Sequence, residues 1–305
     1  MKILTVVLGV VFILLVLSLL ASTIMELIAA FLGLRGKNLK KALGNMLIGL
    51  KKDGSTEDGT FFKKFQENAL FKQLSFKYSS KTTNPPSYLD SKSFQSILFD
   101  IILGDGKLSE TDIIEKINDI ENADLRNVLN QLIRDADGKV DEFKKKVQDW
   151  YNTVMDRASG WYTRMAKKIL IYVGLSIAII LNADTLAIYE RLENDPETLQ
   201  QIVAMAQDIA SKGDSVNIVK QNLSFEEASA QMNYIIENNI NSIKSPLGLG
   251  WKNVDFEKLT FYDWLTKAVG WIITALAISM GAPFWFDILK KIVSIRNSGA
   301  KPEKE

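Results

Sequence analysis

The residues most able to do chemistry are polar groups placed in or beside long apolar runs: Glu26, Asn182, Asp184, Thr185, Thr274, Ser279 and Asp287. A carboxylate within hydrocarbon is costly and often marks an ion or proton route. A plainer reading is available for each acid. Ile3 to Thr23 already suffices to cross a bilayer, so Glu26 falls at the far edge. Asp184 lies near the opposite edge of its own run, and Asp287 has Lys290 and Lys291 one helical turn away. Interfacial or structurally paired acids are the expectation, with a conduction path and subunit contacts as alternatives. The segment Gly281–Ala282–Pro283–Phe284–Trp285–Phe286–Asp287 adds a second unusual chemistry. Pro283 frees a backbone carbonyl and predicts a kink there. Trp285 and its neighbours beside Asp287 suggest, as a minority reading, a lipid or quinone headgroup site.

The composition removes several function classes. There is no cysteine and no histidine among the 305 residues. Thiol nucleophiles, Cys/His zinc sites, axial haem histidines and the commonest general base near neutral pH are therefore absent. No glycine-rich phosphate loop, nucleophile elbow or zincin helix occurs. Asp135–Ala136–Asp137–Gly138 invites a calcium reading. With Gly138 at position six of a calcium loop, however, Ile133 and Lys144 occupy the first and last ligand positions. No cofactor and no metal is expected. Lysines and arginines (37) balance the acids (36), so nothing asks for nucleic acid.

Three elements must position these residues. The first apolar run reaches Leu34 around Glu26 and reads as an uncleaved helix rather than a signal peptide. The second covers 169–189, and the third 263–289, with Trp264 and Trp271 at one end and Trp285 at the other. Basic residues follow the first run (Arg35, Lys37, Lys40, Lys41), precede the second (Arg157, Arg164, Lys167, Lys168) and follow the third (Lys290, Lys291, Arg296). All three clusters face the cytoplasm only if the amino terminus is outside. The expected fold is an all-α integral membrane protein with three transmembrane helices and a helical cytoplasmic domain. That divides the chain into helix 1 at 1–34, the cytoplasmic domain at 35–168, helix 2 at 169–189, an acidic outer region at 190–262, helix 3 at 263–289 and a cytoplasmic tail at 290–305.

Between the spans the periodicity is helical. Leu39 to Leu50 is amphipathic and suits either the membrane surface or a packing face. Ser91 reads as a cap before Phe94, Ile97, Leu98, Ile101 and Ile102. The turns at 105–107 and 135–138 read as tight helix connections. From Val140 a nearly continuous helix should lead into the second span, coupling the soluble bundle to the membrane part, with Gly160 as its weak point. Ser224 and Glu227 form a capping-box pattern. The outer region has few large apolar residues, so it should rest on the membrane or on a partner.

Two stretches carry a resemblance. Met155 to Tyr162 (MDRASGWY) with Leu181 to Ile188 (LNADTLAI) is one. Gly270–Trp271 through Gly281 to Asp287 (GAPFWFD), ending near Ser298 to Pro302, is the other. Pro86–Ser87–Tyr88 and Leu247 to Trp251 fit the same pattern. Together they resemble an uncharacterised family of bacterial inner-membrane proteins. The resemblance covers most of the chain, implies a bacterial envelope location and implies no activity. The expected partners are the lipid bilayer and other membrane or envelope proteins, or further copies of the chain. The expected role is a scaffold or accessory subunit. The alternatives are an oligomeric channel or transporter component and, third, a membrane-bound enzyme.

Overall fold

A computed structural model describes residues 2–48, 59–75, 86–104, 110–211, 223–252 and 254–298. The turn at 105–107 and the end of the Ser298 to Pro302 stretch lie outside the described residues. The described residues are helical, without a strand, and form two compact units: Met1–Phe31 with Met165–Glu305, and Leu32–Arg164. α1 (Lys2–Leu32) is long and apolar enough to cross a membrane by itself. Two further candidates are bent pairs: α8 (Val140–Ile180) with α9 (Thr185–Asn194), at 50°, and α13 (Phe261–Ile278) with α14 (Ala282–Ser298), at 92°.

The Leu32–Arg164 unit packs short helices around a ring of phenylalanines. α2 (Leu34–Leu47) buries Leu39, Leu43, Met46 and Leu47 in that core, so its apolar face is a packing face. α3 (Thr60–Glu67) and α4 (Ala69–Ser75) bring Phe65 and Phe71, and α5 (Ser91–Leu103) brings Phe94. Phe94 stacks on Tyr151 at 4.6 Å and lies 5.4 Å from Phe65. α6 (Glu110–Asn118) and α7 (Ala123–Arg134) supply Ile113, Ile117, Leu125 and Leu129. The Tyr151 hydroxyl donates to the Leu89 carbonyl, and burial pushes its pKa up. The cap of α5 is Asp90, one residue before the expected Ser91. Asp90 can accept the Lys92 and Ser93 amides, which a serine at 91 would be too far into the helix to do.

The other unit is organised around α1. The segment expected to rest on the membrane or on a partner packs along this helix of its own chain. α10 (Pro196–Ser211), α11 (Phe225–Ile235), a π turn at Ile236–Ile240 and α12 (Asn241–Leu247) place Leu199, Ile202, Val203, Ile235, Ile243 and Leu247 in the same core as α1. A methyl group on Gly9 would sit 2.9 Å from Leu192 and within 3.6 Å of Ile202 and Leu199. At the other end of α1, the rings of Phe31 and Phe225 are 6.2 Å apart. The physical reason is the one that made this segment look weak: it cannot bury its apolar stripes alone, and α1 offers a fully apolar surface.

The third apolar run also departs from a single helix. α13 ends at Ile278, and Gly281 turns the chain at φ +88°, a conformation that costs glycine little. Pro283 falls in the first turn of α14, where a missing amide hydrogen costs no helical bond. It therefore helps start a helix rather than kinking one. The Trp285 indole donates back to the Ala277 carbonyl at 2.7 Å, near the end of α13, where the same carbonyl accepts the Met280 amide at 3.2 Å.

The α5 cap gives a direct test. The Ser93 hydroxyl, donating to Asp90 at 2.6 Å, and the Ser93 amide hold the Asp90 carboxyl below its ordinary 3.8. A depressed carboxylate stabilises the fold at neutral pH, and that contribution is lost as pH falls below 3.8. Asp90→Ala should lower stability by about 1 kcal/mol at neutral pH. Denaturant unfolding of the detergent-solubilised chain should show the wild-type advantage shrinking in acid.

Candidate functional site

The most elaborate polar cluster forms where the second apolar run breaks. α8 ends in a left-handed residue, Asn182, at φ +47°. The Ala183 amide donates to the Ala178 carbonyl at 2.7 Å and the Asn182 amide to Ile179 at 3.1 Å, the paired bonds of a Schellman ending. Asparagine tolerates this conformation because its short amide side chain bonds locally. Here the Asn182 side-chain amide donates to the Gly250 carbonyl at 3.2 Å, and its oxygen accepts from the Lys267 ammonium at 3.2 Å. The loop before α13 adds two further bonds at this end. The Gly250 amide reaches Leu181 at 2.8 Å, and the Trp251 indole reaches Ile179 at 2.9 Å.

Two residues later Asp184 starts α9. Its carboxylate accepts the Leu186 amide at 2.9 Å and the Ala187 amide at 3.4 Å. Asp184 is only 3% exposed, so these N-terminal amides and the positive end of the helix replace its hydration. The space it occupies belongs to Gly270 on α13. A Cβ built on Gly270 would lie 1.6 Å from Asp184 Oδ1 and 2.3 Å from Cγ, which no side chain can accommodate. One helical turn on, Thr274 completes the joint. Its hydroxyl lies 2.9 Å from both the Ala183 and Gly270 carbonyls, accepts the Thr185 amide at 3.1 Å and faces the Thr185 hydroxyl at 2.7 Å. One proton serves one carbonyl at a time, so Thr274 ties α13 to the break through both donation and acceptance. Gly174 continues the close approach, its missing methyl 3.2 Å from the Ala275 carbonyl.

The structure thus brings together Asn182, Asp184 and Thr185, with Lys267, Gly270 and Thr274 as their counterparts. It leaves Glu26, Pro283, Trp285 and Asp287 elsewhere. Glu26 is buried and engaged near the far end of α1. Pro283 and Asp287 are exposed on α14, and Trp285 is half-buried there. Lys290 sits 4.5 Å over the Phe286 ring. Beside the break, Trp251, Phe256, Trp264 and Trp271 form a ring cluster with centroids 5.7 to 6.5 Å apart. Trp271 is 9% exposed, and its indole nitrogen has no acceptor among the described residues. No group of three metal-ligating side chains occurs among the described residues.

In chemical terms the break is a joint. At Asp184, its sharpest feature, one carboxylate oxygen accepts two backbone amides. The pairing with Gly270 was not legible along the sequence, because it depends on two helices meeting. The glycine and threonine one turn apart in an apolar run were its only sequence signal. No family model, no curated protein and no solved structure matches the chain.

Gly270→Ala should destabilise the protein by about 3 kcal/mol or more, the upper range for overpacking a closed contact. Asp184→Ala alone should cost about 1–2 kcal/mol through the lost cap. Combined, the two should cost clearly less than their sum, because the second removes the atoms the first collides with. Thermal unfolding in detergent measures all three, and strict additivity would rule out the contact.

Proposed function

We propose that this chain is a membrane-embedded scaffold or accessory subunit of a bacterial envelope complex, without catalytic chemistry of its own. In this reading α1, α8 with α9, and α13 with α14 make three passes, with the amino terminus outside and the carboxyl terminus cytoplasmic. Its support begins with exposed apolar stripes. α13 presents Leu265, Val269, Ile272, Ile273 and Leu276, continuing to Met280, at helical spacing. α8 and α9 present Ile171, Tyr172, Ile179, Ile180, Leu186 and Tyr189. A contiguous apolar surface of this kind suits lipid contact.

The observation that carries the accessory-subunit reading is the contrast with the helices on the rest of α1. α10, α11 and the π turn after it direct Glu197, Gln200, Asp208, Glu227, Glu237 and Asn238 outward. These helices run beside α1 from Gly9 to Phe31. Along that same α1, Ser18 lies 3.5 Å from the Ile278 carbonyl at the end of the apolar α13 stripe. Lipid cannot surround both surfaces at one depth without stranding carboxylates in hydrocarbon. A protein partner or a second copy on the polar side resolves the conflict.

The chain has no cysteine, so single-cysteine labelling reports topology without background. Asn194→Cys should react with an impermeant maleimide on intact cells, and Lys145→Cys only after permeabilisation. Reaction of both from the same side would overturn the three-pass reading. Gentle detergent extraction at native abundance, followed by native mass spectrometry, should give a mass above that of one chain. A bare single chain would sink the accessory-subunit reading. Liposomes holding the intact protein should show no ion flux, whereas a flux abolished by Asp184→Asn would assign the chain to a channel instead.

A further inference from the structure

The unit built on α1 contains a furrow that the helix joint does not use. It lies between α1 and α8, encloses about 410 Å3 and is lined by Ile24, Ile28, Ile169, Val173, Ile177 and Ile180, with Tyr172 and Ser176. Its lining is almost wholly apolar. The Ser176 hydroxyl already donates to the Tyr172 carbonyl at 2.9 Å, and Ile177 is 5% exposed while Tyr172 and Ile180 are 72% and 69% exposed. The furrow is therefore closed on its inner side and open outward. From Ile169 to Ile180 it extends about 16 Å along the helix. That is close to one leaflet, half of a hydrocarbon core of about 30 Å.

At one end stand two exposed ammonium groups, Lys167 and Lys168. Lys168 is one residue before Ile169 and four before Tyr172, which places it on the furrow's side of α8. A lysine there lays its stem along apolar surface and sends its charge to the headgroup layer.

We propose that this furrow holds one acyl chain of an anionic phospholipid, whose phosphate rests on the Lys168 ammonium. The leaflet-length apolar trough sets the chain, and the basic end sets the charge of the head. The proposal rests on the reading that α8 meets the bilayer, so its test must separate the two.

The full chain is reconstituted into nanodiscs of dioleoyl phosphatidylglycerol or dioleoyl phosphatidylcholine, released into mild detergent, and its retained lipid counted by native mass spectrometry. Phosphatidylglycerol should stay bound and phosphatidylcholine should not. Lys168→Gln should cut that preference about fivefold, the effect of one basic residue near an anionic surface. Ser176→Phe, which places a ring in the furrow from an exposed position, should abolish retention. Equal retention of the two lipids by the wild type overturns the headgroup assignment. Full retention by a folded Ser176→Phe overturns the furrow assignment, and so does a lipid-free dimer that this variant dissolves, since a second copy would then be the occupant. Should Ser176→Phe fail to fold, the Lys168→Gln ratio decides. A chain that does not enter nanodiscs overturns the membrane reading itself, whereas one that enters and retains no phosphatidylglycerol overturns the furrow alone.

Discussion

A carboxylate removed from water must be given donors, and at Asp184 these come from the first turn of the helix it begins. That requirement fixes much around it. The carboxylate needs Gly270 to have no side chain, so α13 approaches the break closely and Thr274 reaches across to the Ala183 carbonyl. The same approach places Lys267 on the Asn182 side chain. Asn182 in turn holds the 250 loop, whose Trp251 closes α8. Each bond satisfies a group that another bond exposes, which is how a helix can stop and restart inside an apolar layer.

The two units solve burial differently. The Leu32–Arg164 unit relies on large aromatic groups, with Phe65, Phe94 and Phe143 fully buried at the centre of short helices. The other unit surrounds a single apolar rod. Of the helices around it, α10 and α11 are amphipathic and turn polar faces away from the rod, whereas α8 and α13 turn apolar residues outward. Neither set would be satisfied without the other, since α1 alone is too apolar for water and α10 to α12 alone have too little to bury.

Local chemistry was legible in the sequence and pairwise chemistry was not. The Ser224–Glu227 capping box is present as its spacing suggests, and the helix from Val140 runs through Gly160 without interruption. Both are decided within a few residues. The break at Gly281 was harder, because Pro283 suits a kinked helix and a new helix equally well, and only the positive φ of Gly281 distinguishes them. The packing of the acidic segment was not legible for another reason: its few apolar residues complete a core begun at Val6 on a distant helix. Asp184 stood out along the sequence, but its meaning came from a glycine on a different helix.

Order of synthesis gives the central position of α1 a further consequence. It leaves the ribosome before its partners, and Ser18 meets Ile278 across 260 residues of later sequence. At translation rates of about 5–20 residues per second, that partner arrives roughly 10–50 s afterwards. Until then α1 lacks part of the set of helices that finally encloses it. Something else apolar must hold it meanwhile, either the bilayer or a chaperone. Maturation then becomes an exchange, in which temporary neighbours of α1 are displaced by helices made later.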